Sequence, residues 1–172
     1  MKTIHKTAEV SEKASIGNDT KVWHFAHIRE NATIGDSCII GKNVYIDFDV
    51  KIGNKCKVQN NSSIYHGANI EDGVFIGPHV VITNDKYPRA INIDGSLKGN
   101  SDWTVLQTNI GYGASIGANS VVLPGIKIGR FALIGSGSVV TKDVPDFGLV
   151  YGNPAKLAGY VNEAGQLVKK LK

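Results

Sequence analysis

The chain has 172 residues, of which 42% are hydrophobic and 20% charged, and these proportions predict a single soluble globular domain. Its net charge of +4 comes without an arginine-rich run or an aromatic platform motif, so no nucleic acid partner is expected. No apolar run reaches the ~18 residues of a membrane span, so no membrane contact is expected. Because the opening segment, MKTIHKTAEV, lacks the apolar core of a signal peptide, a cytoplasmic location is expected.

An aliphatic residue recurs every six positions, from Ile4 to Ile82 and again from Ile110 to Val140. Glycine follows it at nine positions, and a small or β-branched residue often stands four places after it. A period of six fits neither an amphipathic helix nor a long alternating strand, and it predicts very short strands joined by tight corners. In this interpretation the aliphatic side chains fill the interior, and glycine relieves corner torsions that a Cβ would strain.

The pattern aliphatic-Gly-x-x-small-x resembles the hexapeptide-repeat acyltransferases over about residues 4–145. The resemblance implies an all-β fold, a left-handed parallel β-helix in which three hexads form one triangular coil. It also implies a homotrimer with active sites between neighbouring prisms. We therefore expect a β-helix domain over 1–145 with an inserted loop at 83–109, closed by a C-terminal segment of the same domain at 146–172.

The two cysteines fit this grid, because Cys38 and Cys56 both occupy the small interior position and are separated by three hexads. On such a coil they would stack at the usual strand spacing of about 4.8 Å, which permits a disulfide geometrically. In a cytosolic protein, two reduced and buried residues are the stronger expectation. After the repeats end, a short strand or hairpin is predicted around 162–165.

The repeat is interrupted once, by VITNDKYPRAINIDGSLKGNSDWTVLQTNI at 81–110, where one hexad is replaced by a loop several times as long. Loops of this length are usually functional or disordered, and Tyr87 and Trp103 are not typical of a disordered linker. A β-helix has little concavity of its own, so we predict that this loop supplies the binding pocket. Because residues three hexads apart stack, Asn84 is predicted to lie one coil above His66, and His79 one coil above Asn61.

Several segments narrow the family: KVQNNSSIYHG, IEDGVFIGP, TNDKYPRAI with DGSLKG, and IGYGASIGANSVVLPG. Together they resemble N-acetyltransferases that act on nucleotide-linked 3-amino-3-deoxy sugars in cell-surface glycan synthesis. One branch uses dTDP-3-amino-3,6-dideoxyhexoses, and a sister branch uses a UDP-linked 3-amino glucuronic acid derivative. The sister branch reads TNV-x-NPR where this chain reads TNDKYPR, so Asp85 favours the dTDP branch. The configuration at C4 and the oxidation state at C6 of the sugar stay open.

For the co-substrate, the resemblance implies acetyl-CoA lying in the groove between two subunits, although it does not establish acetyl as the acyl group. The pantetheine arm would lie beside the backbone of Gly111, Ala114 and Ala132. Lys142 and Lys156 would meet the 3′-phosphate and the pyrophosphate. Which subunit supplies each wall of the groove stays open.

For the acyl transfer itself, Asn84 and Asp85 are predicted to orient the sugar amine, since orientation alone lowers a barrier substantially. His66 is predicted to accept the proton that leaves the tetrahedral intermediate. The departing CoA thiolate is basic enough to accept the same proton, so both acceptors stay open. The remaining predicted substrate-binding residues are Asn60, Tyr65, Tyr87 and Arg89.

Three other functions are compatible with parts of the sequence. A hexapeptide O-acetyltransferase would use a histidine to deprotonate a sugar or serine hydroxyl. A γ-class carbonic anhydrase needs three histidines around zinc or iron, including a late H-x4-H pair. The five histidines here, at 5, 24, 27, 66 and 79, contain no such pair, so no metal is expected. A non-catalytic scaffold would tolerate changes in TNDKYPR without losing its partners.

Overall fold

In the computed structural model, which describes residues 1–171, the chain winds into three sheets that share one axis. Sheet A consists of β1 (Thr3–Ile4), β4 (Lys21–Val22), β7 (Ile39–Ile40), β10 (Lys57–Val58), β13 (Phe75–Ile76), β16 (Ser115–Ile116), β19 (Leu133–Ile134), β21 (Gly148–Gly152), β22 (Ala155–Val161) and β23 (Leu167–Lys170). Sheet B consists of β2 (Glu9–Val10), β5 (His27–Ile28), β8 (Tyr45–Ile46), β11 (Ser63–Ile64), β14 (Val81–Ile82), β17 (Val121–Val122) and β20 (Val139–Val140). Sheet C consists of β3 (Ser15–Ile16), β6 (Thr33–Ile34), β9 (Lys51–Ile52), β12 (Ala68–Ile70), β15 (Thr108–Ile110) and β18 (Lys127–Ile128). Lys172, the last residue of the predicted closing segment, lies outside the described residues.

Strands that are three hexads apart in the sequence pair in parallel, as those of Ile46 and Ile64 do. The register continues across the inserted loop, because Ile82 pairs with Val122. This arrangement confirms the predicted all-β class and the parallel β-helix of hexapeptide repeats. Residues 1–171 form no helix, and so none that could cross a membrane.

The aliphatic column of the repeat forms the core. Ile28, Ile46, Ile64, Ile82 and Ile116 are completely buried. Burying one such side chain stabilises a fold by roughly 1.5–3 kcal/mol relative to its exposure to water. A repeat that adds one buried aliphatic residue every six positions therefore builds a stiff prism without any helix or long strand.

At the corners, the residue with the unusual backbone torsion is not the expected glycine. A positive φ occurs three residues after the aliphatic position, for example 56° at Asn43, 63° at Asn61 and 60° at His79. The nine glycines directly after the aliphatic position do not have a positive φ. The prediction that these glycines relieve corner torsions is therefore wrong.

Close approach between coils explains those glycines instead. A Cβ built on Gly117 would lie 2.5 Å from the Ser136 nitrogen and 2.8 Å from the Ile134 oxygen. A Cβ on Gly77 would lie 2.7 Å from the Ala118 nitrogen. Because the contacting atoms belong to the backbone of the next coil, they have no room to move aside.

The Gly117→Ala substitution is therefore expected to lower the free energy of unfolding by about 1–3 kcal/mol, as overpacking does in other cores. Chemical denaturation of the two proteins measures the difference. Gly99→Ala is the matched control, because its Cβ would meet nothing closer than the Asp102 carboxylate at 3.7 Å and its φ is ordinary. Equal stability losses in the two variants would contradict the close-approach explanation.

Small polar residues inside the corners connect successive coils. The Ser62 hydroxyl donates a hydrogen bond to the Gly77 carbonyl at 2.8 Å. Cys38 occupies an equivalent corner, and its thiol donates to the Gly53 carbonyl at 3.1 Å. Cys38 and Cys56 are both buried and free, as the sequence predicted.

The C-terminal segment covers the last coil. β21 joins sheet A in parallel with β19, and β22 and β23 then add in antiparallel fashion. Between them the Asn162 side-chain oxygen accepts hydrogen bonds from the backbone of Ala164 and Gln166, which fixes the turn. The hairpin predicted around 162–165 is thus confirmed.

Candidate active site

The prism has three edges, which we call A–B, B–C and C–A after the sheets whose strands they connect. The nine repeat glycines all lie on the A–B and C–A edges. The equivalent residues on the B–C edge are Ser11, Arg29, Asp47, Tyr65, Thr83, Leu123 and Thr141. Glycine is thus missing from every third hexad, and this longer period is a sequence signal that marks the B–C edge.

His66, Asn84 and Lys142 lie on one line along the B–C edge. Each stands two residues after the end of a sheet B strand, and β11, β14, β17 and β20 pair in register. Adjacent strands are ~4.8 Å apart, so His66 and Lys142 are about 14 Å apart along the axis. The predicted position of Asn84 one coil above His66 is confirmed by this register.

Asn84 marks the point where the loop departs. Its carbonyl accepts a hydrogen bond from the Leu106 nitrogen at 3.3 Å, which closes the neck of the loop. Its side chain is half-buried and makes no hydrogen bond to any of residues 1–171. A half-buried amide without a protein partner is available to a polar substrate.

The loop borders an open cavity of about 430 Å³ whose walls include Asp85, Tyr87, Lys98 and Trp103. One oxygen of Asp85 accepts a hydrogen bond from the Tyr87 nitrogen at 2.8 Å, so this carboxylate also shapes the turn. Lys98 and Trp103 were not among the predicted site residues. The aromatic and basic composition of the loop is the signal that points to them.

Three other predicted substrate contacts are dispersed. Tyr65 is exposed on the B–C edge beside His66. Arg89 is exposed and donates to the carbonyl of Pro88, outside the loop cavity. Asn60 lies on the A–B edge, where its side-chain oxygen accepts a hydrogen bond from the Lys42 nitrogen at 2.9 Å. Their roles in substrate binding stay predictions.

His66 lines a second cavity, of about 370 Å³, on the other side of the loop base, together with Val105 and Gln107. Its Nδ1 lies 3.0 Å from the Phe48 carbonyl oxygen, and its ring stacks on the Phe48 ring at 4.0 Å. Because a carbonyl oxygen only accepts hydrogen bonds, this contact assigns the proton to Nδ1 and the lone pair to Nε2. The side chain is 25% exposed, and Nε2 has no hydrogen-bond partner among residues 1–171.

His79 belongs to a structural ladder on another edge. Asn43 donates to Asn61 at 3.0 Å, and the Asn61 amide lies 3.3 Å from Nε2 of His79. The predicted stacking of His79 on Asn61 is confirmed. A ring nitrogen engaged in this ladder is less available for chemistry than that of His66.

The predicted pantetheine contacts lie on the C–A edge, separated from His66 by the width of sheet C. The Ala114 carbonyl accepts from the Phe75 nitrogen, and the Ala132 carbonyl accepts from the Ser115 nitrogen, both at 2.9 Å. A Cβ on Gly111 would collide with the backbone of the next coil. Coil stacking thus accounts for these residues within one chain, and their contact with the coenzyme stays a prediction.

Lys142 and Lys156 line the same cavity, and their contact with the coenzyme phosphates stays a prediction. Both line a cavity of about 320 Å³ at the C-terminal end of the B–C edge, with Thr141 and Pro154 in its wall. Both lysines are exposed. Among residues 1–171, no group of three or more His, Cys, Asp or Glu side chains is placed to hold a metal ion.

The B–C edge of the prism, where the repeat glycine is replaced by other residues, carries an imidazole, an unpaired amide and a basic cavity. A β-helix with these groups on one edge belongs to the class of β-helical group-transfer proteins. The family model described as bacterial transferase hexapeptide (six repeats) matches residues 13–47, 49–84 and 107–142. A second model, the hexapeptide repeat of succinyl-transferase, matches residues 31–66. The chain belongs to the bacterial hexapeptide-repeat transferases.

Individual relatives indicate which hexapeptide-repeat transferases the chain is similar to. The chain is 46% identical to dTDP-3-amino-3,6-dideoxy-alpha-D-galactopyranose 3-N-acetyltransferase from Aneurinibacillus thermoaerophilus, over 96% of this chain and 82% of the relative. PerB from Caulobacter crescentus, solved in complex with CoA and GDP-perosamine, has a TM-score of 0.57 and 25% identity. The match covers 92% of this chain, which spans only 57% of PerB.

A third comparison shows what the fold does not distinguish. A maltose O-acetyltransferase from Clostridium difficile 630 has a TM-score of 0.58 and 26% identity, covering 72% of this chain and 69% of that one. Amine and hydroxyl acetylation thus occur on the same architecture. The resemblance to the acyltransferases, and to the branch acting on nucleotide-linked 3-amino sugars, is confirmed by the relatives, and acetyl-CoA is the co-substrate of this family.

Proposed function

We propose that the protein is an acetyl-CoA-dependent N-acetyltransferase that acetylates the C3 amine of a nucleotide-linked 3-amino-3-deoxy sugar for surface glycan synthesis. The observation that carries this proposal is the line of His66, Asn84 and Lys142 along the B–C edge, from which the loop departs at Asn84. The activity for which the Aneurinibacillus relative is named supports the amine acceptor and the dTDP nucleotide. A cytoplasmic location, where both substrates are made, belongs to the same proposal.

The reaction depends more on the orientation of the sugar amine than on its activation by a base. The neutral amine nitrogen attacks the thioester carbonyl carbon, a C–N bond forms, the C–S bond breaks, and CoA leaves as the thiolate. The free Asn84 amide can hydrogen-bond to the sugar and hold the amine against the thioester. The proton lost by the nitrogen goes to Nε2 of His66 or to the leaving thiolate, and the reaction balances with either acceptor.

The loop cavity suits the nucleotide part of the substrate. Trp103 and Tyr87 offer aromatic faces, and stacking of a base on such a face contributes about 1–3 kcal/mol. Lys98 offers a cation for the diphosphate. In this arrangement the sugar lies at the neck of the loop beside Asn84, between the loop cavity and the cavity that His66 lines.

The basic cavity suits the phosphates of the co-substrate. Lys142→Ala and Lys156→Ala are each expected to raise the KM for acetyl-CoA by about tenfold or more, because a hydrogen bond to a charged group contributes about 1.5–3 kcal/mol. Steady-state kinetics at low and high salt measure the effect, which should shrink as salt increases. Lys13→Ala, an exposed lysine of the first coils, is the matched control, and an equal change in that variant would contradict the assignment.

We extend the proposal to a homotrimer whose active sites lie between subunits. The loop tip exposes Ile91, Ile93 and Leu97, at 54%, 110% and 80%, which a neighbouring copy would cover. Sheet B also presents a row of three half-buried valines, Val81, Val121 and Val139, which are paired in register. A neighbour is needed as well if the C–A edge residues are to reach a coenzyme bound beside His66.

Light scattering tests the assembly. A mass three times the 18.4 kDa of one chain is expected. The Val121→Glu variant is expected to dissociate and to lose activity, because a buried charge without a partner is strongly unfavourable at an interface. A monomeric wild-type protein with full activity would refute the trimer and its shared sites.

The function itself is tested by thiol release from acetyl-CoA with a panel of acceptors. The panel holds dTDP-3-amino, dTDP-4-amino and UDP-3-amino sugars, together with serine and maltose as hydroxyl acceptors. Turnover with the dTDP-3-amino sugar alone is the expected result. Turnover with the UDP sugar would transfer the protein to the glucuronate branch, and turnover with hydroxyl acceptors alone would replace the proposal by O-acetylation.

A further inference from the structure

The most buried acidic side chain on the B–C edge belongs to Asp47, which is only 6% exposed. Its Oδ1 accepts hydrogen bonds from the Arg29 guanidinium, the Tyr45 hydroxyl and the Phe48 nitrogen, each at 2.9 Å. Its Oδ2 accepts from the backbone nitrogen of His66 at 3.1 Å. All four partners are donors, so the carboxylate is fully used in its ionised form.

Phe48 connects this carboxylate to the imidazole. Its ring lies between two partners, since the His66 ring stacks on it at 4.0 Å and the Arg29 guanidinium carbon lies 5.0 Å from its centroid. Its carbonyl accepts the Nδ1 hydrogen of His66. The imidazole is therefore held at three points: its own backbone by Asp47, its Nδ1 by the Phe48 carbonyl, and its face by the Phe48 ring.

Ordinary coil stacking does not require this arrangement. On the C–A edge, Asp36 makes one cross-coil bond, accepting from the Asn18 nitrogen at 2.6 Å, and Asn54 makes the same bond to Asp36. The amide of Asn54 thus makes the same cross-coil hydrogen bond as the carboxylate of Asp36. Asp47 differs because it is buried, accepts hydrogen bonds from four donors, and binds the backbone nitrogen of His66.

We propose that Asp47 and Phe48 form a clamp of positioning residues that keeps the proton of His66 on Nδ1. Nε2 then remains the nitrogen that accepts the proton released by the sugar amine. The role of Nε2 as proton acceptor rests on the proposed function. The clamp itself rests on the contacts of Asp47 and Phe48 in this structure. It assigns roles to two residues that do not themselves touch substrate.

The tautomer of His66 is the first readout, because it does not depend on activity. Nitrogen-15 NMR of the wild-type protein labelled at histidine, with His66 assigned by loss of its signals in His66→Gln, is expected to show Nδ1 protonated and Nε2 unprotonated. In Asp47→Asn, the amide must turn an NH2 group toward a donor, so a mixture of tautomers is expected. A wild-type His66 with its proton on Nε2 would overturn the clamp.

Kinetics are the second readout. Since a positioned general base contributes about 10²–10⁴-fold, Asp47→Asn and Phe48→Leu are each expected to lower kcat by about tenfold while leaving the KM values of both substrates unchanged. Asp36→Asn is the matched control and should keep wild-type kcat. Phe48→Leu retains the four bonds of Asp47, so it carries the test if thermal unfolding shows that Asp47→Asn does not fold.

The remaining outcomes separate the clamp from the proposed function. Wild-type kcat in both clamp variants, or in His66→Gln, would overturn the clamp while leaving N-acetylation intact and the thiolate as the proton acceptor. Asp49 has an oxygen 4.0 Å from Nδ1, so an equal loss in Asp49→Asn would assign the effect to nearby negative charge and overturn the clamp. No thiol release with any amine would reject the proposed function, and the tautomer measurement would still decide the clamp.

Discussion

The Asn84→Ala variant is expected to lower kcat/KM for the amino sugar by about 100-fold, with most of the loss in kcat. The reason is geometric, since misplacing a reacting group by about 1 Å costs on the order of 10²-fold. The Asn84 amide has no hydrogen bond to replace within residues 1–171, so its removal should not disturb the fold. Thiol release at saturating acetyl-CoA, with a thermal unfolding scan of the same sample, measures both consequences.

Asn100→Ala is the matched control for this variant, because Asn100 is an exposed asparagine of the same loop. It should keep wild-type kinetics. Loss of activity in Asn84→Ala together with a lower unfolding temperature would show a structural role at the neck of the loop. Unchanged kinetics would remove Asn84 from the mechanism and leave orientation to other groups of the loop.

The largest effect on stability is expected from Ile116→Ala, which should lower the free energy of unfolding by about 2–5 kcal/mol. Ile116 is completely buried and pairs with Ile76 and Ile134 in the coils on either side. Deleting most of its side chain there leaves a cavity that the rigid neighbouring coils cannot close. Chemical denaturation at matched protein concentration measures the change.

Ile93→Ala provides the same chemical change outside the core, because Ile93 is fully exposed at the loop tip. In an isolated chain it should alter stability by less than about 0.5 kcal/mol. If the loop tip packs on a neighbouring copy, Ile93→Ala should weaken assembly instead. A stability loss as large as that of Ile116→Ala, without any change in assembly, would contradict the description of the loop as a separate appendage.

The two predictions concern separate parts of the molecule, and that separation explains how one fold serves several acceptors. The aliphatic column that holds the prism together is buried inside it. The imidazole of His66, the free amide of Asn84 and the Lys142 side chain lie on the B–C edge, and further polar and aromatic side chains belong to the inserted loop. Substitutions there can change the acceptor with little effect on stability, which agrees with the amine and hydroxyl acetyltransferases found among its relatives.

The period of six predicted short strands joined by tight corners, because it is a local property that each hexad repeats independently. The resemblance to the hexapeptide-repeat acyltransferases then implied the β-helix. Ile28, Ile46 and Ile64 are buried for the same reason, and a spacing of three hexads was enough to place Asn84 above His66. The position of the interruption also followed from counting. These conclusions need only the geometry of one coil, which every coil shares.

Which side-chain and backbone atoms of neighbouring coils contact one another is visible only in the folded chain. The glycines of the repeat were expected to relieve the backbone torsions of the corners. In the structure the positive φ lies two residues later, and the glycines instead make room for the backbone of the next coil. Asp47 was not singled out by the sequence, and folding places four donors around its carboxylate, one of them the backbone nitrogen of His66. Such contacts join side chains whose directions depend on packing between coils, and a repeat pattern read along one chain carries no record of those directions.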